Sequence, residues 1–207
     1  MTKFPDFLFS GPVVEFVASA NEFCKYTERN SEIDGIELLK IYQRLLPFIY
    51  LKASLLPEHD PFFGEGNEKF VREGDWNKIH DELKVKLGTA DSYLEVFDER
   101  IKDSDTPVVS SLAENIADIY QDLKDFLILY QTGTNEVMND ALWECRLNFE
   151  NYWGQKLLNS LRAIHRLIYS GEEIGLEPEK PDSEDEDKYR ESWILSRRQK
   201  EFRKNGK

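Results

Sequence analysis

From Asn135 to Tyr169 the chain contains no proline and a single glycine, Gly154. Along that stretch Met138, Leu142, Cys145, Phe149, Trp153, Ile164 and Leu167 keep one apolar stripe. At about 1.5 Å per residue, one helix over this range would be roughly 50 Å long unless Gly154 bends it. Such a rod predicts the spine of the fold.

The rest of the chain repeats the same periodicity, and no sustained period-2 alternation competes with it. After Ser10-Gly11-Pro12, with proline suited to a first helical position, Val13, Phe16, Val17, Ala20, Phe23 and Cys24 form a stripe. A second helix carries Leu38, Ile41, Tyr42, Leu45 and Ile49, and Pro47 is expected to kink or break it. Residues 57–75 hold two prolines and three glycines, which predicts an irregular loop anchored by Phe62, Phe63 and Phe70. Asp75 caps a third predicted helix that ends near Gly88, followed by a short helical segment from Asp91 to about Ile101. Ser111 and Glu114 have capping-box spacing and open a helix to about Gln131, with Thr132-Gly133-Thr134 as the turn. The expected fold is all-α, a helical bundle of about five to six helices with one long C-terminal spine helix. No repeat of 20 to 50 residues suggests a solenoid.

Charge divides the chain into three parts. Residues 1–171 read as a single helical domain. Residues 172–191 hold ten acids against three bases and read as an acidic linker. Residues 192–207 reverse the sign, with six bases around Trp193, Ile194, Leu195 and Phe202, and read as a basic amphipathic tail.

A formal charge of −13 works against nucleic acid and anionic lipid, since both require clustered cations. The N-terminal residues show no secretory pattern and no apolar run approaches the length of a membrane span, so the expected location is cytoplasmic. Cys24 and Cys145 lie far apart without CxxC spacing, and both fall on apolar faces as buried thiols.

Three blocks stand out in order and spacing. They are Ala117-Asp118-Ile119-Tyr120-Gln121-Asp122-Leu123-Lys124-Asp125-Phe126, then Asn135 through Cys145, then Tyr152-Trp153-Gly154-Gln155-Lys156, with Leu46-Pro47 and Leu51-Lys52-Ala53 earlier. Over residues from about 12 to 170 the chain resembles an uncharacterised bacterial family, the domain of unknown function numbered five thousand and sixty-three. The resemblance implies a bacterial helical domain and supplies no activity.

Two constellations merit attention. Glu114, Asp118 and Asp122 repeat every fourth residue, as do Glu136, Asp140 and Glu144, so each set lies along one helix face. Antiparallel packing of those helices would let the carboxylates hold Mg²⁺ or Mn²⁺, as in all-helical nucleotide pyrophosphohydrolases. Helical angles argue against it, because Glu114, Asp118, Asp140 and Glu144 point away from the apolar stripes, so a solvated face is the stronger reading. The second set sits where polar groups are unexpected. Asn139, Arg146 and Lys156 fall near the middle of the long helix's stripe, and Asn115 and Asp122 flank the facing one. Buried charges need partners, so these residues predict a polar network, with Asp122 the expected partner of Arg146 and Lys156. A small-anion pocket built on Arg146 and Lys156 is the alternative.

His59, His80 and His165 show no ligand spacing, and no Walker loop, GxSxG elbow or GxGxxG is present. Trp143, Tyr152 and Trp153 read as core or interface anchors before they read as ligand platforms. With chemical motifs missing and aromatic helix faces plentiful, the expected function is a non-enzymatic protein-interaction or assembly module. Its expected partner is a protein or a second copy, through a homodimer on the long helix, with no nucleic acid and no membrane, and no cofactor is identified. A metal-dependent hydrolase of a phosphate compound is the alternative.

Overall fold

The computed structural model describes residues 6–64, 66–95 and 108–170. The acidic linker, the basic tail and the helical expectation at Phe97 and Ile101 all lie outside those residues.

Among the described residues six α-helices form five rods. They are α1 (Gly11–Glu28), α2 (Gly35–Ser54), α3 (Glu73–Leu87), α4 (Leu112–Thr132), α5 (Asn135–Asn148) and α6 (Gly154–Ser170). A wide π-turn at Phe149–Trp153 joins α5 to α6, so these two make the long C-terminal rod expected from the sequence. The chain is therefore an all-α bundle. α1 packs on α2 and α4, α2 on α6, and α4 on α3, α5 and α6.

Local chemistry accounts for the helix ends. The Asp34 carboxylate accepts the Ile36 and Glu37 N–H groups at 3.0 and 3.4 Å and starts α2. Ser111 Oγ accepts the Glu114 N–H at 3.1 Å and starts α4, as its capping-box spacing predicts. Asp75 is the third residue of α3 rather than its cap, and its carboxylate reaches back to the Arg72 N–H at 3.1 Å. Gly88 ends α3 with φ of 55°, a backbone conformation that costs a side-chain-bearing residue more than glycine.

Two expectations need correction. Pro47 does not break α2, which continues from Gly35 to Ser54 around it. The proline lies on the exposed side, where water reaches the backbone that loses its donor, and Leu46 and Ile49 beside it remain buried. Ser92–Leu94 is a strand, β1, and not a helical turn. It pairs antiparallel with β2 (Val109–Ser111) in the register Ser92 to Ser111 and Leu94 to Val109. Asp91 locks the pairing to the bundle by accepting the Ala113 N–H at 2.7 Å and the Ser111 hydroxyl at 2.8 Å.

Aromatic residues fill the centre. Trp153 is fully buried between the rings of Phe16 and Phe149, and its indole N–H donates to the Cys145 carbonyl at 3.1 Å. Tyr42 is equally buried and donates its hydroxyl to Thr27 Oγ1 at 3.2 Å. The Cys24 and Cys145 thiols lie in this core, where burial pushes both pKa values up and keeps them protonated. Among the described residues no helix is long and apolar enough to cross a membrane.

Candidate functional site

The polar residues that helical phase alone assigns to water converge on a structure that phase cannot reveal. Between α2 and α3 the chain crosses the outer side of α4 and α5 as a strap, and carboxylates of those helices hold it. Asp140 accepts the consecutive backbone N–H groups of Phe62 and Phe63, the latter at 2.8 Å. Asp125 accepts those of Phe70 and Val71, both at 2.8 Å. Between these clamps, Asn67 donates to Glu144 at 2.7 Å and Lys69 pairs with Glu144 at 2.9 Å. The entry to the strap is fixed by Asn139, which donates to the Asp60 carbonyl at 2.9 Å, and by His59, whose Nε2 lies 3.1 Å from the Asn139 carbonyl.

The strap buries what it covers. Asp140 and Asp125 are both buried, although neither faces the apolar centre of the bundle. Beneath Lys69 lies a shallow cleft lined by Asp122, Asp125, Glu144 and Asn148, with Cys145 and Phe126 among its apolar lining. Burial raises the Asp122 pKa to about 6, against the hydrogen bond from Asn148 at 2.6 Å and the charge of Lys69. Burial raises Asp125 in the same direction, opposed by its two backbone donors.

Above the cleft, Asp118 is a second hub. Its carboxylate accepts from Trp76 Nε1 at 2.8 Å, from the Tyr152 hydroxyl at 2.8 Å and from the Lys156 ammonium. Burial alone would lower the Lys156 pKa, but its bond to Asp118 and that residue's charge outweigh burial and the net shift is upward. Glu114 stands farther from Lys156, at 4.0 Å, and is largely exposed.

The two acid ladders are thus divided among separate tasks. Glu114 and Asp118 attend Lys156, Asp122 and Glu144 line the cleft, Asp140 holds the strap, and Glu136 sits in the first turn of α5. Among the described residues no cluster of three or more His, Cys, Asp or Glu side chains is arranged to hold a metal ion. In the second constellation the partner of Lys156 is Asp118 and not Asp122. Arg146 pairs with Glu58 at 3.2 Å and Glu150 at 2.7 Å, at the outer surface and not in the core. Asn139 is buried as expected, and Asn115 donates to the Tyr93 hydroxyl at 2.6 Å. Arg146 and Lys156 therefore do not share one anion pocket, because each is occupied by its own carboxylates.

Sequence reasoning missed Asp125, Lys69 and the strap clamps. Asp125 lies on the side of α4 opposite its apolar stripe, and a backbone N–H that meets a carboxylate more than fifty residues away leaves no local signature.

What this framework displays is a pair of aromatic rings. Phe62 and Phe63 are 52% and 59% exposed, edge to face at 4.9 Å, with Gly64 turning the chain beyond them at φ of 69°. They are not the loop anchors expected from the sequence. Phe70, the third expected anchor, does pack against the core, and Val71 beside it lies within it.

The fold and site together define a helical-bundle domain with a carboxylate-clamped strap and no recognisable catalytic constellation among the described residues. The chain belongs to the family described as a domain of unknown function, DUF5063, which matches residues 8–170. It is also similar to protein BF1032 from Bacteroides fragilis, known from a crystal structure. That likeness has 36% sequence identity and a TM-score of 0.71, and it covers 81% of this chain and 98% of the other. No curated protein matches the chain.

Proposed function

We propose that this domain is a non-enzymatic protein-interaction or assembly module and that the Phe62–Phe63 tip is its contact element. The observation that carries this reading is the clamp beneath the tip. Leaving two rings about half exposed forgoes roughly 2 to 3 kcal/mol of burial. Asp140 accepts both backbone N–H groups and so fixes the backbone from which the rings project. Rigid aromatic side chains displayed on a fixed backbone lower the ordering cost of association, which is the property of a binding hot spot. Glu58, Asp60 and Glu68 are exposed along the same strap, so an anionic membrane is disfavoured and a protein surface is favoured.

The metal-dependent hydrolase is the weaker alternative. Its six candidate ligands serve four different contacts, and Lys69 supplies a positive charge where a cation would have to sit.

A photo-reactive benzophenone side chain placed at position 63 of the full chain, in cells, tests the reading. Discrete adducts are expected after illumination, above those from the same group at the exposed Val85 of α3. A smear or blank equal to the Val85 control would overturn it.

A further inference from the structure

Among the described residues one face of α2 is left exposed, with only the Lys52 ammonium of the same helix over the Phe48 ring. At about 100° per residue, Lys40, Arg44, Pro47, Phe48, Leu51 and Leu55 share one side of that helix, and all six are exposed. The N-terminal part of the face carries Lys40 and Arg44 with the exposed Glu37 beside them, a net positive balance. Its C-terminal part is apolar, with Phe48, Leu51 and Leu55 each about half exposed. Resting on the reading of the tip as a protein-binding element, we propose that Phe62 and Phe63 dock on the Pro47–Phe48–Leu51–Leu55 face of α2 in a second copy of this chain. The second copy returns the same contact, which makes an isologous pair.

Charge selects this occupant. The tip is flanked by the exposed acids Asp60 and Glu68, Glu58 being paired with Arg146, and beside the α2 patch the exposed bases Lys40 and Arg44 outnumber Glu37. Two chains at −13 repel each other in most orientations, so an encounter is favoured only where basic and acidic flanks meet. Connectivity fits as well. Leu55 closes α2 and Phe62 lies seven residues farther on, so the two halves of the surface are separated by at most roughly 25 Å. Both therefore fit within one interface. The five half-exposed side chains would remove on the order of 500 Å² per protomer, and the reciprocal contact brings the total to roughly 1,000 Å², the lower bound for a specific dimer.

The test uses the full chain with Phe63→Cys and Leu51→Cys made separately. Cys24 and Cys145 are buried and give little background. Under mild oxidation the mixture of the two variants should yield disulfide-linked dimer several-fold above either variant alone. Sedimentation of the unsubstituted protein should fit a monomer–dimer equilibrium. Leu51→Glu, and the double variant Phe62→Ser with Phe63→Ser, should both shift toward monomer with melting temperatures unchanged. A chain that stays monomeric at roughly 0.1 mM overturns the second-copy assignment. So does a mixture no richer in linked dimer than its components. The failures are separable. A benzophenone adduct to a different protein at position 63 removes the second copy and keeps the interaction reading, whereas no adduct removes both.

Discussion

The Asp140 carboxylate lies 2.8 Å from the backbone nitrogen of Phe63, a residue 77 positions earlier in the chain. It holds Phe62 in the same way and also accepts from the Asn139 amide at 3.1 Å. A buried carboxylate with three donors is a clamp, and breaking it leaves those donors without an acceptor. Asp140→Ala is therefore expected to destabilise the domain by about 2 to 4 kcal/mol. Amide exchange at residues 62 and 63 should rise with it. Urea unfolding and hydrogen exchange read the two effects, and a strap that stayed protected in the variant would contradict the clamp.

Gly154 follows the π-turn, and a Cβ there would meet the Phe149 carbonyl oxygen at 2.3 Å and the Phe149 ring at 3.0 Å. Helix propensity alone favours alanine by about 1 kcal/mol. Close contact with backbone reverses that sign, and Gly154→Ala should lose about 2 kcal/mol or more net. A melting temperature at or above that of the parent protein would show that the turn relaxes to an ordinary helix.

Asp122 titrates near pH 6 in the fold, above its ordinary value near 3.8. Between those values the native protein holds a proton that the unfolded chain has released, so this group's contribution to stability is present below about pH 4 and is lost as pH rises through about 6. A shift of that size corresponds to about 3 kcal/mol. Asp122→Asn keeps an acceptor for Asn148 and removes the titration. Its stability relative to the parent should therefore increase between pH 5 and pH 7.5. Parallel stability profiles for the two proteins would exclude a raised Asp122.

Two ion pairs made by the long rod should differ in what their loss costs. Arg146 binds Glu58, which is 88% exposed, and Glu150, so Arg146→Ala should cost less than about 1 kcal/mol. Asp118 takes donors from α3, the π-turn and α6, and Asp118→Ala should cost about 2 to 4 kcal/mol. Thermal or denaturant unfolding of both variants under one condition makes the comparison, and equal losses would refute it.

These contrasts mark where the sequence was legible. Periodic apolar residues fix α1, α2, α4 and the long rod, and Ser111 with Glu114 locates the start of α4, because those signals are local. β1 and β2 escaped because three-residue strands are too short to display a period of two. Asp125 escaped, and Asp140 was singled out for a metal and not for the strap, because phase describes one helix against the bundle and says nothing about a loop that later covers its outer side. Lys156 was placed with the wrong partner for a different reason. Helical phase names a face and not a height along the axis, and Asp118 lies one turn before Asp122 on the same side of α4.

The π-turn at Phe149–Trp153 has a consequence for how the domain can vary. Both halves of the rod pack on α4, and α6 packs on α2 as well. The wide turn takes up one residue more than a regular helical turn, so Leu142 and Cys145 before it and Leu157 and Ile164 after it all stay buried. Loss of a single residue from Phe149–Trp153 would let the turn close to a regular helix with that register kept, whereas loss of one from the regular part of α6 would rotate everything after it by about 100°. Length can therefore change at the turn and nowhere else along the rod without moving Leu157 and Ile164 out of the core.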